Sequence, residues 1–318
     1  ESFLRSMLAG FSFISLLLLD SSPLASAGRQ HTVSALMVTL SQFPMHDFEA
    51  MLEAGVKRLI FGYCIARASG TVDDLGSINA TFMSEIHDLT QKYKAEVYLG
   101  VSPFFLDGED TSRFEKGFAE SVPKLFKTYY LDGLMVLPAP APKYVHVVQI
   151  MGDIVRATYT WKQNRAVAAL KFGSDDDSWS FIKQVDVLPH FHYAICYLDN
   201  HYISPKIYKS LAWADEVLQK WDNMTRRPSL LELEIIPVGR STAGDYFSYR
   251  ELVQKGAPTE GSGEFEGYYY DSQTQIDAKA RLVTSVNMQG ITFVDVGDDL
   301  PVRDNRSLLR TAIRAFHG

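Results

Sequence analysis

Several groups of residues in this 318-residue chain have the chemistry to do work. Asp199 follows the apolar run Phe191–Tyr197, and Asp295 lies near the end of Ile291–Val296. If those runs are strands, carboxylates at their C-terminal ends could move a proton or hold a polar substrate group. Both also read as ordinary rim carboxylates. Asp132 sits in an Asp-Gly turn, which favours a structural role where the chain enters a strand. His190 and His192 share one face of an extended segment, which is half of a metal site. They precede the apolar run, however, and no nearby Cys or acid completes a ligand set. Asp175-Asp176-Asp177 lacks the spacing and distal Glu of a calcium loop. It reads instead as the first turn of a helix, where carboxylates meet the positive end of the dipole. Gly261-Ser262-Gly263 is followed by Glu264, without the Lys of a phosphate loop. Tyr63, Phe105, Tyr197 and Tyr202 are placed to offer flat faces to a ligand, although each alone also reads as core or rim packing. No cofactor motif is present.

Such residues act only if a frame holds them, and hydrophobic periodicity supplies one. Apolar runs predict strands over Ser34–Leu40, Arg58–Ala66, Glu96–Ser102 (ended by Pro103), Leu134–Leu137, Ala166–Lys171, Phe191–Tyr197, Leu231–Pro237 and Ile291–Val296. Leu134–Leu137 is unbroken by polar residues, as suits a strand covered on both faces. Helical spacing predicts helices over Asp47–Gly55, Asn79–Tyr93, Arg113–Thr128, Tyr144–Thr160, Pro205–Trp221, Asp277–Asn287 and Ser307–Phe316, with another opened by the Asp175–Asp177 run. Eight strands alternating with helices specify a (β/α)8 TIM barrel. No linker divides the chain, so residues 28–318 read as one domain. The longest crossover, 237–290, has room for a short extra turn besides its helix. Residues 240–268 are too few and too Gly-rich for a sizeable insertion domain, which predicts a shallow groove.

The N-terminus reads as a signal peptide over residues 1–27. Arg5 provides a positive start, Met7 to Leu19 the apolar stretch, and Ala25-Ser26-Ala27 a small-residue cleavage site. Gly10, Ser12 and Ser15 interrupt that stretch, and a membrane span needs about 20 predominantly apolar residues. The mature chain is therefore expected to be secreted, with no membrane span. Three sequons, at Asn79, Asn223 and Asn305, fit an extracellular glycoprotein. Cys64 and Cys196 are the only cysteines, and they fall in apolar runs on opposite sides of the expected barrel. Bridging requires Cα atoms within about 7 Å, so two buried thiols are expected. The net charge is −7 with no basic run to offset it, which argues against nucleic acid or anionic membranes as partners.

Within this frame the stretch Tyr129–Pro142 resembles the fourth barrel strand of the family-18 glycoside hydrolases, the chitinase class. That strand carries Asp-Gly-x-Asp-x-Asp-x-Glu. Here Asp132 and Gly133 match its first two residues, and the other three acidic positions are Met135, Leu137 and Ala139. The family's sixth strand ends in Met-x-Tyr-Asp, for which this chain has Ile195, Cys196, Tyr197 and Leu198, with Asp199 displaced by one. Pro237, Gly239 and Arg240 resemble the end of its seventh strand, without the Tyr. Tyr270-Asp271, Ile276, Lys279, Gln289-Gly290-Ile291 and Gly297-Asp298-Asp299 resemble its final helix and strand, where a Trp flooring the sugar site falls on or near Val294.

In that family the Glu protonates the glycosidic oxygen, and the adjacent Asp orients the substrate's own N-acetyl group as nucleophile. Met135, Leu137 and Ala139 can do neither. The resemblance thus implies a chitinase-like pseudoenzyme with no catalytic residue. It would bind chitin or N-acetylglucosamine oligomers, another glycan, or an extracellular protein partner. Tyr63, Phe105, Tyr197, Asp199, Tyr202 and Asp295 are the carbohydrate-binding candidates. A glycosidase with relocated acids, and a structural or storage barrel without a ligand, are the alternatives. Expressed in a secretory host, the mature product should begin at Gly28 and lose mass at Asn79, Asn223 and Asn305 when treated with an N-glycosidase. Retention of residues 1–27, or an unchanged mass, would refute the extracellular address.

Overall fold

A computed structural model describes residues 31–38, 43–73, 78–104, 111–137, 145–184, 186–200 and 202–317. The leader 1–27, Phe105, Ala139 and His201 lie outside these described residues. The chain runs β1 (Thr32–Met37), α1 (Met45–Ala54), β2 (Arg58–Arg67), the two-residue β3 (Val72–Asp73), α2 (Ala80–Tyr93), β4 (Glu96–Phe104) and α3 (Thr111–Thr128). It continues with β5 (Gly133–Val136), α4 (Val145–Ala157), β6 (Val167–Gly173), α5 (Asp176–Gln184), β7 (Tyr193–Tyr197), α6 (Pro205–Tyr208), α7 (Leu211–Thr225) and β8 (Leu231–Ile235). A small crossover module follows: β9 (Val238–Ser241), β10 (Tyr246–Ser248), α8 (Tyr249–Gln254), β11 (Glu264–Phe265) and β12 (Tyr268–Tyr269). Finally come α9 (Gln273–Ser285), β13 (Gly290–Phe293) and α10 (Leu308–His317).

The long strands pair in parallel in the order β1-β13-β8-β7-β6-β5-β4-β2, and β2 pairs back onto β1. This is the closed eight-stranded (β/α)8 barrel that the alternation predicts. The helices carry their apolar residues at helical spacing. In α3, Phe114, Phe118, Val122, Leu125 and Phe126 are all buried against the strands. Several helices start where a side chain satisfies a free backbone N–H: Asn79 accepts from Phe82, and Ser272 and Gln275 form a reciprocal capping box on α9. Cys64 and Cys196 are buried on β2 and β7 and are not joined in a disulfide. Asn79, Asn223 and Asn305 are all exposed. Among the described residues no helix is long and apolar enough to cross a membrane.

Three segments depart from the sequence reading. β4 does not stop before Pro103, because β2 extends to Arg67 and continues to pair with it after β5 has ended. The helix expected over Pro205–Trp221 is two helices. Ser210 caps the second by accepting from Trp213 N, and Lys209 turns its amine inward. The 240–268 segment holds more than a turn, because β10-β9-β12-β11 form a four-stranded antiparallel sheet beside α8. It remains far smaller than a domain.

The barrel interior is layered, as expected where alternate residues of every strand point inward. At the N-terminal end lies a buried charge cluster. Arg58 donates to Glu232 at 2.7 Å, to Glu96 at 3.1 Å and to Ser34 at 3.2 Å, and its guanidinium lies 4.7 Å from the ring centres of both Tyr98 and Tyr193. Thr292 donates to the second oxygen of Glu232. Above it, Leu36, Ile60, Met135, Ala169, Ile195 and Val294 form an apolar layer. Removing one partner of a buried ion pair costs about 3–5 kcal/mol, because the other charge is left stranded. Arg58→Met should lose about that much in urea unfolding, and Arg58→Met/Glu232→Leu should regain most of it. A single variant as stable as the parent would show that the cluster does not hold the barrel.

Candidate functional site

The C-terminal ends of the strands form the barrel mouth, where four strands deliver polar side chains to one place. β6 supplies Lys171, β8 Glu234, β7 Tyr197 and β2 Tyr63. Tyr63 points inward because β2 slips register between Phe61 and Cys64, at Gly62 with φ +123°. A side chain at Gly62 would also meet Gly100 O. The amine of Lys171 lies 2.7 Å from Glu234 Oε1 and donates to Tyr63 Oη at 2.8 Å. Glu234 is fully enclosed, and its second oxygen has no hydrogen-bond partner. Burial pushes the Glu234 carboxyl above its ordinary range, with Lys171 pulling the other way. Burial pulls the Lys171 amine down, but Glu234 and Tyr63 together hold it above its usual value.

Above this floor opens a cleft of about 380 Å³, lined by Leu137, Lys171, Gly173, Asp175, Phe181, Tyr197 and Tyr202 among others. Its size falls near the lower end of small-molecule sites. Asp175 forms its back edge and accepts from Ser178 N and Oγ, so it caps α5. Tyr197 is half-buried, and burial together with Asp175 pushes its phenol up to about 12. Tyr202 is 79% exposed, and its backbone N–H donates to Asn200 Oδ1. Tyr197 and Tyr202 thus line one cleft, and Tyr63 lies at its floor against Lys171.

The two acidic candidates are placed differently. Asp199 is buried, accepting from Lys209 at 2.8 Å and Arg240 at 3.2 Å. Lys209 lies 3.8 Å from Asp271, which in turn pairs with buried Lys279. Asp199 therefore ties β7 to the crossover and α9, and it is not open to a ligand. Asp295 accepts from Gly297 N and Val38 N, holding the β13 and β1 ends together. Asp132 has the structural role read for it, accepting from Val97 N and Lys162. Burial raises its carboxyl, opposed by Lys162. His190 pairs with Asp153, and His192 accepts from Ala168 N. Among the described residues no group of three potential ligands could hold a metal.

Met135 and Leu137 point into the barrel. Met135 is fully buried in the apolar layer, Leu137 packs against the same layer and lines the cleft, and Val294 lies in it too. The charged residues of the mouth that the sequence reading did not single out are Lys171 and Glu234. Their signal was faint: one Lys at the end of Ala166–Lys171, and one Glu inside Leu231–Pro237.

Gly173 makes the mouth geometry possible. A Cβ there would lie 2.5 Å from Tyr197 Oη and 2.3 Å from Asp175 Oδ2. Gly173→Ala should push the Tyr197 ring outward and away from Asp175. Its phenol, read by ultraviolet titration against Tyr197→Phe, should then ionise nearer 10 than 12. An unmoved titration would mean that Tyr197 is not held by this contact.

No protein-family model matches the sequence, and no curated protein matches it. Solved structures are similar in fold. A GH18 chitinase, ChiB, from Flavobacterium johnsoniae aligns at 14% identity over 91% of this chain and 94% of its own, with a TM-score of 0.69. A chitinase-like agglutinin from Robinia pseudoacacia aligns at 14% identity over 89% and 99%, with a TM-score of 0.69. YKL-39, solved in the presence of chitooligosaccharides, aligns at 13% identity over 91% and 100%, with a TM-score of 0.72.

Proposed function

We propose that this chain is a secreted, catalytically silent relative of the family-18 glycoside hydrolases that binds a carbohydrate at its barrel mouth. The observation that carries the reading is the fate of the family's acidic positions. Two of them, Met135 and Leu137, pack into the apolar layer of the barrel, and the third is Ala139. Loss of the general acid alone costs roughly 10²–10⁴-fold. Loss of the group that orients the N-acetyl nucleophile adds a further penalty.

What is left at the mouth suits binding. The cleft offers the rings of Tyr197 and Tyr202 and, on its floor, the Lys171 amine beside Tyr63. Aromatic faces cover the apolar face of a sugar ring, and the polar floor can fix its orientation. The structural neighbours include both a chitinase-like agglutinin and a protein solved with chitooligosaccharides, so N-acetylglucosamine oligomers are the first ligands to test.

Hydrolysis by relocated acids is the second reading, and one observation favours it: burial raises the carboxyl of Glu234 beneath the cleft. Against it, Glu234 is enclosed, and Lys171 rather than Glu234 lines the cleft. Asp199 and Asp295, the acids the sequence offered, are engaged in structural bonds.

Calorimetric titration with N-acetylglucosamine oligomers, with released sugar assayed in the same samples, tests the proposal. Saturable binding without cleavage is expected, weakened about tenfold by Tyr197→Ala through loss of a stacking face. Cleavage abolished by Glu234→Gln would establish the relocated-acid reading instead. Absence of binding would overturn the carbohydrate reading and favour a protein partner at the mouth.

A further inference from the structure

Away from the mouth, on the outer helical layer, a hollow of about 360 Å³ lies between α1 and α10. Three of its lining residues are arginines: Arg303 on the loop before α10, and Arg310 and Arg314 one helical turn apart on α10 itself. The single acid in its lining, Glu53, is 4.0 Å from Arg303, and both side chains are about two-thirds exposed, where such pairs count for little. Arg310 donates to the carbonyl of Arg303, and Arg314 to the hydroxyl of Thr311, so among the described residues the hydrogen bonds of both guanidiniums go to neutral oxygens, with the Asp304 carboxylate acting on Arg310 from a distance. Neighbouring acids make their direct bonds elsewhere, Glu49 to Lys92 and Asp304 to Arg306, and reach Arg303 and Arg310 only through longer-range attraction. The negative end of the α10 dipole accounts for a cation at Arg314. It does not account for Arg303 or Arg310, which lie ahead of the last turn.

We infer that this hollow binds an anionic oligosaccharide, its sulfate or carboxylate groups held by the three guanidinium forks. Guanidinium is planar, stays charged and matches such groups with two parallel hydrogen bonds. Residues at i and i+4 on a helix are about 6 Å apart, so Arg310 and Arg314 present a pair of forks to a ligand with repeated charges. The floor is small and aliphatic, made by Ala54, Val302 and Ile313. Its lining holds no aromatic side chain or Met on which a peptide partner could anchor. The chain as a whole carries −7, which repels polyanions, so retention of one has to come from a local site. This site is separate from the barrel mouth and does not depend on what the mouth binds.

The full chain is titrated calorimetrically with a heparin-derived hexasaccharide, a hyaluronan hexasaccharide and a short polyglutamate, at low and at raised salt. Saturable, salt-sensitive binding of the sulfated hexasaccharide is expected. If hyaluronan binds as well, carboxylates suffice; if it does not, the site selects sulfate, and either result fits the inference. Arg310→Ala/Arg314→Ala should weaken binding about tenfold or more. Arg310→Lys/Arg314→Lys, which keeps the charge and removes the forks, should fall between the two. Tyr197→Ala should leave it unchanged. No binding to either saccharide, equal binding by the parent and the alanine pair, or tighter binding of polyglutamate would overturn the inference. Should the alanine pair fail to fold, full retention of affinity in the lysine pair would do the same.

Discussion

A carboxylate taken out of water has to be paired, and two glutamates on one strand impose that requirement on the whole barrel. Glu232 and Glu234 both point into the closed interior, where they are at most 1% exposed. Each is answered by a cation from another strand: Arg58 of β2 for Glu232, and Lys171 of β6 for Glu234. These pairings fix which face of β2, β6 and β8 turns inward, since a shift of one residue would exchange the charged and apolar faces. Glu96 and Ser34 complete the hydrogen bonding of Arg58, and Thr292 that of Glu232. The price of burying such ions is high unless their remaining bonds are met. The lower cluster meets it more fully than the upper one, where one oxygen of Glu234 is left without a hydrogen bond.

Between the two charged levels lies an apolar layer, to which Met135 belongs and against which Leu137 packs. Met135 fills the space between Leu36, Ile60 and Ile195 with its flexible side chain. The mouth retains a shallow cleft because Gly173 lets Tyr197 lie close to Asp175 and the Lys171 amine stays at the floor. That combination sets a polar floor beneath the aromatic rings of the cleft.

The crossover module depends on a second ion network at its base. Asp199, Lys209 and Arg240 join β7 to β9, and Asp271 with Lys279 carries the network into α9. In the sequence Asp199 was a plausible proton donor, because it follows a strand at the end where barrel active sites lie. What converts it into a structural residue is Lys209, ten positions later, turned inward at the break between α6 and α7. That break has a readable marker in Ser210, a good helix cap, which the apolar spacing of Pro205–Trp221 outweighed.

The sequence by itself determined the number and order of the eight strands, most of the helices between them, the Asp132-Gly133 entry to β5, and the seclusion of Cys64 and Cys196. Each follows from local periodicity or turn chemistry, which act over a few neighbouring residues. The tertiary structure alone decided which way alternate residues face. Leu231-Glu232-Leu233-Glu234-Ile235 alternates strictly, and alternation usually means one apolar face inside and one polar face in water. In a closed barrel covered by helices there is no wet face. Leu231, Leu233 and Ile235 pack against the helical layer, and the glutamates are driven into the barrel, where only Arg58 and Lys171, 174 and 63 residues away from their partners, make their burial tolerable. Pairing across such separations is set by strand register and closure, which no short stretch of the chain contains.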